Sequence, residues 1–295
     1  MRADGEVRQK REAGPLERAL HHERVLVALA LAAVCLIAAA WTVAGVGMEM
    51  SAIGMTRMTG MADMPGSPGA RPPGAWTPAY AALVFAMWWI MMIAMMLPGA
   101  APTILLHAAL LHAAPLHAAK ARNGGRADSV AAPTATFAIG YLAIWAAFSL
   151  VAVTLQWALE AAGLVSATMM TLTGRGLAGA LLIAAGLYQF SPLKNACLDH
   201  CRSPAQFLVE RRRPGTAGAF AMGLEHGAYC AGCCAFLMAL LFAGGIMNLW
   251  WIVGLALLVA IEKLAPSGPR IGRALGVVLI GAGLWLVAVS VLARL

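Results

Sequence analysis

Charge is what this sequence has least of. Only 12% of its 295 residues are Asp, Glu, Lys or Arg, while 61% are hydrophobic. With a mean hydropathy of +0.77, such a chain has too few polar side chains to clothe an ordinary soluble domain. No basic run is interleaved with aromatic residues, so nothing points to nucleic acid as a partner. No phosphate-binding glycine loop or phosphorylation motif is present, which argues against ATP-driven pumping by this chain alone. None of the six cysteines (35, 197, 201, 230, 233 and 234) falls in an obvious extracytoplasmic loop. A secreted disulfide framework is therefore not expected.

What the sequence does have is long apolar runs, each near the ~20 residues that cross a bilayer. We expect an all-α, polytopic transmembrane bundle of about seven spans, at 25–46, 78–99, 135–159, 177–190, 217–241, 249–264 and 271–292. Residues 1–24 read as a basic cytoplasmic tail carrying His21 and His22, and 25–295 as one membrane domain. The rival reading of the first run is a signal peptide; the run is long for one, and no clean A-x-A site follows it. The fourth span is short unless it begins before Arg175. His107, His112 and His117 follow the second span at five-residue spacing, so they share no helical face; they read as an interfacial helix leading to the basic loop at 120–126.

Basic residues set the orientation. With seven spans and a cytoplasmic N-terminus, the segments on that side carry six, three, five and three Lys or Arg, seventeen of the 21, against four on the other side. The expected setting is the bacterial inner membrane, with the lipid bilayer as first partner.

Within the fifth span lies M-G-L-E-H-G-A-Y-C-A-G-C-C-A-F-L-M, residues 222–238. His226, Cys230, Cys233 and Cys234 are spaced i, i+4, i+7 and i+8 and share one helical face. At 1.5 Å per residue Cys230 lies roughly 20 Å into the bilayer, at the depth of Met91, Met92, Met95 and Met96 on the second span. Thiolates and thioethers favour Cu(I), and thiolate with imidazole also suits zinc. One helix can rarely surround an ion, so completion by the second-span methionines is expected. A loop with Met48, Met50, Met55, Met58, Met61 and Met64 precedes that span. Each signal has a plain reading too: Met pairs as packing, the loop as a connector, Glu225 as an interfacial carboxylate.

The stretch S-P-L-K-N-A-C-L-D-H-C-R-S-P, residues 191–204, reads as a short helix capped by Ser191 and started by Pro192. Cys197 and Cys201 sit at i, i+4, and nearby Lys194 and Arg202 would favour their thiolates. The plain reading is a structural elbow. Glu262 and Lys263 read as interface markers, and Gly223-x3-Gly227 and Gly272-x3-Gly276 as places of close helix approach.

Five stretches together carry a resemblance: M-M-I-A-M-M-L-P (91–98), G-L-Y-Q-F-S-P-L-K-N-A-C-L-D-H-C-R-S-P (186–204), G-L-E-H-G-A-Y-C-A-G-C-C-A-F-L-M (223–238), G-G-I-M-N-L-W-W (244–251) and E-K (262–263). Over roughly 75–265 the chain resembles a bacterial domain of unknown function whose members are described as predicted metal-binding integral membrane proteins. That resemblance implies metal binding at the Cys, His and Met motifs, with no established reaction. The expected function is Cu(I) handling (capture, transfer or transport), with a copper chaperone or copper enzyme as partner and zinc as the other metal. The alternative is a membrane thiol-disulfide oxidoreductase using Cys230/Cys233 and Cys197/Cys201. Against it, the imidazole and the thioethers have no role in dithiol exchange.

Overall fold

The computed structural model describes residues 15–45, 51–57, 72, 74–119 and 131–293, with side chains from 25 onward and none for 112–119. Of the expected loop methionines, Met48, Met50, Met58, Met61 and Met64 lie outside the described residues, as do the His21, His22, His112 and His117 side chains and the loop at 120–126.

Eleven helices account for nearly all the described chain: α1 (Pro15–Ala44), α2 (Ala52–Arg57), α3 (Pro78–Ala119), α4 (Ala131–Ala161), α5 (Arg175–Tyr188), α6 (Pro192–Arg202), α7 (Pro204–Glu210), α8 (Gly215–Ala239), α9 (Leu241–Gly244), α10 (Leu249–Leu264) and α11 (Gly268–Leu292). Every expected span falls on a helix. By length and composition five can cross a membrane: α1, α3, α4, α8 with α9, and α11. The pair α5 and α6, bent by 63°, would make a sixth. α10, with 16 residues, is about 24 Å long and α5, with 14, about 21 Å, both short of the ~30 Å hydrocarbon core. Large apolar side chains stay exposed on the outer faces of α1 and α11 (Leu29, Leu36, Ile37, Val277, Val278, Trp285). A membrane protein presents such faces to lipid, where they need no cover.

α3 departs from expectation. It does not stop at 99 but runs as one 42-residue helix through Pro98, Pro102 and Pro115. Each proline removes one backbone donor, a loss that membrane helices tolerate when packed neighbours re-satisfy the freed groups. His107 is buried by the helices around it. The elbow after α5 is built as the sequence suggests: the Ser191 hydroxyl accepts from the Leu193 amide at 3.2 Å, and Pro192 opens α6.

Two seams hold the bundle. α4 packs closely on α8 and α5 on α11, and glycines make both contacts possible. A Cβ on Gly140 or Gly223 would overlap the backbone of the facing helix, at Phe220 and Phe137 respectively. Gly179 and Gly283 face each other in the second seam, as do Gly186 and Gly276. α3 packs mainly on α1, α4 and α10, and α8 mainly on α4 and α6.

Candidate metal centre

The cysteine face of α8 turns inward. His226, Cys230, Cys233 and Cys234 are all at most 2% exposed. Cys233 Sγ lies 3.2 Å from Cys234 Sγ and 3.2 Å from the Cys230 carbonyl oxygen. α6 packs on this face and brings the Cys201 thiol beside those of Cys230 and Cys233. Four thiols from two helices thus share one buried pocket.

Cys230 is the hub. It contacts Cys201 and Cys234, its Sγ is 3.1 Å from the Tyr141 hydroxyl, and it accepts from the Lys263 ammonium at 2.8 Å. The sequence reading placed Glu262 and Lys263 at the membrane interface; instead both are buried and turned into the bundle. Glu262 takes Lys194 as its partner, at 2.9 and 2.8 Å to its two oxygens, and Lys194 also donates to Gln189. Glu262 is therefore engaged elsewhere, and Lys263 meets sulfur. The expectation that Lys194 and Arg202 would serve the α6 thiols is corrected in the same way. Arg202 donates to the carbonyls of Glu262 (2.6 Å), Ala265 (2.7 Å) and Pro266 (3.3 Å), closing the C-terminal end of α10.

Cys197 does not join the thiols of the hub. It packs into the space left by Gly232, where a Cβ would lie 2.7 Å from its Sγ. His200 stacks on Tyr229, ring centroids 4.1 Å apart. Glu225 of α8 pairs with Arg211 (3.1 Å) and Arg213 (3.5 Å).

His226 is walled by the rings of Phe137, Tyr141 and Phe207, and its Nδ1 has no hydrogen-bond partner. Met91, Met92, Met95 and Met96 are buried, at 0, 0, 4 and 0% exposure. α3 and α8 are not a closely packed pair. Tyr141 of α4 joins them, since its hydroxyl donates to the Met96 carbonyl at 2.9 Å and also meets Cys230. Among the described residues no three His, Cys, Asp or Glu side chains stand around a common ion position. Cys233 and Cys234 are hydrogen-bonded to each other, so ion binding requires thiol proton loss and side-chain rotation.

Sequence reasoning missed Lys263 and Tyr141 as contacts of the thiols. Lys263 was visible as an ionisable residue at the end of an apolar helix, a default candidate for function. Tyr141 carried no signal, because only the α4–α8 seam brings it to Cys230.

An all-helical protein with several helices long and apolar enough to cross a membrane, and with a buried cluster of thiols, is the class that fold and site define. The chain matches the PpoB2 family, described as a copper chaperone, over residues 85–286, and it belongs to that family. No curated protein and no solved structure matches it.

Proposed function

We propose that the protein is an integral membrane Cu(I)-handling protein, with Cys201, Cys230, Cys233 and Cys234 as its main ligands. The observation that carries this reading is that four buried thiols, one from α6 and three from α8, lie beside one another. The copper-chaperone family to which the chain belongs supports it. Cu(I) is satisfied by two or three soft ligands, so any subset of these thiols can hold it, with His226 or a methionine of α3 as a further donor. The Lys263 ammonium donates to the Cys230 sulfur at 2.8 Å, a contact that an arriving cation would displace. Reduced thiols and thioethers favour the cuprous state over the cupric.

Seven spans with the N-terminus in the cytoplasm remain our topology, with the short α5 and α10 crossing inside the protein wall. The bacterial inner membrane is the setting, and a copper enzyme or second chaperone is the acceptor. The thiol-disulfide alternative draws no support from the site, because its second pair is divided: Cys201 is in the cluster and Cys197 lies against Gly232.

Metal analysis of protein purified after growth in copper tests this directly. We expect about one copper per chain, lost in Cys230→Ser and Cys233→Ser and kept in Cys197→Ser. Zinc retained in the presence of copper, or copper that survives Cys230→Ser, would overturn the reading.

A further inference from the structure

A cavity of about 940 Å³ opens between α3, α4, α7 and α8, lined by His107, Leu208, Arg212, Arg213, Ala219 and Met222 among others. It lies at the basic end of the bundle. Arg211 and Arg213 share the single carboxylate of Glu225, and Arg212 has no acidic partner among the described residues. Two residues that carry soft or borderline metal donors, His107 and Met222, are among those lining this cavity, and the Met222 sulfur accepts from the Arg213 amide at 3.4 Å.

His107 is 6% exposed, and its Nδ1 has no partner. A buried imidazole nitrogen left unpaired needs a reason, because no hydrogen bond repays its loss of water. Its ring stacks on Phe137 at 4.8 Å, and Phe137 lies 6.1 Å from His226 on the other side. Met222, His226 and Cys230 follow one another at i, i+4 and i+8 on α8, one face of one helix. Donors therefore run from the cavity to the thiol hub in single-turn steps.

Resting on the Cu(I) reading above, we propose that this cavity is where copper is handed over, from an anionic thiolate complex of Cu(I), with His107 and Met222 as the first ligands. The arginine rim would repel a bare cation, but it attracts a carrier complex with net negative charge. The volume suits a small-molecule ligand rather than a naked ion. The step is a ligand exchange without redox change. The bond between Cu(I) and the carrier sulfur breaks, bonds to the His107 imidazole and the Met222 thioether form, and copper stays monovalent. The carrier leaves as a thiolate that takes its proton from water. The ion then passes by the same exchange to His226 and Cys230.

The test is the rate at which full-length protein in detergent loads copper. The donors are an anionic Cu(I) complex (the glutathione thiolate complex) and the cationic acetonitrile complex. His107→Phe and Met222→Leu should each slow loading from either donor by about tenfold or more, with the final copper content unchanged. His107→Met, which restores a soft donor, should recover the rate, an outcome that a merely structural role would not give. Arg212→Gln with Arg213→Gln should slow loading from the anionic donor alone, by about tenfold at low salt. Unchanged rates in His107→Phe and Met222→Leu, with normal final loading, would overturn the handover site and leave the thiol centre standing. Wild-type protein that takes copper from neither donor would overturn the thiol centre itself.

Discussion

At the residue scale, the centre depends on a few contacts whose removal has distinct signatures. Tyr141 bonds both the Met96 carbonyl and Cys230. Tyr141→Phe removes those bonds with almost no change in shape and should lower stability by about 1 kcal/mol, read as a fall in Tm of the detergent-solubilised protein. Gly232 is a sharper test. A methyl there meets Cys197 Sγ at 2.7 Å, so Gly232→Ala should destabilise by about 1 kcal/mol net, overpacking outweighing the helix-propensity gain. Cys197→Ala in the Gly232→Ala background should then restore the Tm. If the double variant is no better than the single, Cys197 is not the packing partner of α8. The sequence alone could not separate Cys197 from Cys201. Both lie on α6 one turn apart, and which one faces the cluster depends on how α6 is rotated against α8.

At the element scale, the seams are the most exacting parts of the design. Gly140 and Gly223 let α4 and α8 approach until backbone meets backbone, and that approach brings Tyr141 to Cys230. Gly223→Ala should destabilise by about 2–3 kcal/mol and displace the cluster. Gly254, exposed on α10 with nothing within 4 Å of an added Cβ, is the control: Gly254→Ala should be neutral or stabilise by up to about 1 kcal/mol. Thermal unfolding of the pair checks both. The small-residue spacing was readable in the sequence, although its partner helix was not. α5 and α10 were legible as helices but not in their setting. Their apolar character is common to short core helices and to spans, and only length separates the two.

At the scale of the whole molecule, a buried ion pair ties α6 to α10. Lys194 and Glu262 are 2% and 1% exposed, and Gln189 at the end of α5 shares the same ammonium. Glu262→Gln leaves an uncompensated buried charge and should destabilise by about 3–5 kcal/mol, whereas Lys194→Met with Glu262→Met should recover much of the loss. Tm values of the single and double variants check this. A double variant as damaged as the single would mean that the pair's geometry, and not its charge balance, is what matters. The proposed seven-span topology predicts termini on opposite sides of the membrane, which reporter fusions at each end will read.

Composition and periodicity by themselves determined that this chain is helical, apolar enough for a membrane, and equipped with a ligand-rich face at residues 226–234. Those properties are local: they follow from hydrophobicity and from 3.6 residues per turn, whatever lies next to the helix. Only the tertiary structure decided that Cys201 and not Cys197 meets that face, that Lys263 turns from the interface to Cys230, and that α4 stands between α3 and α8. These are matters of helix rotation and neighbour choice, set by which glycines touch and which charges must be paired within a bundle where water cannot satisfy them.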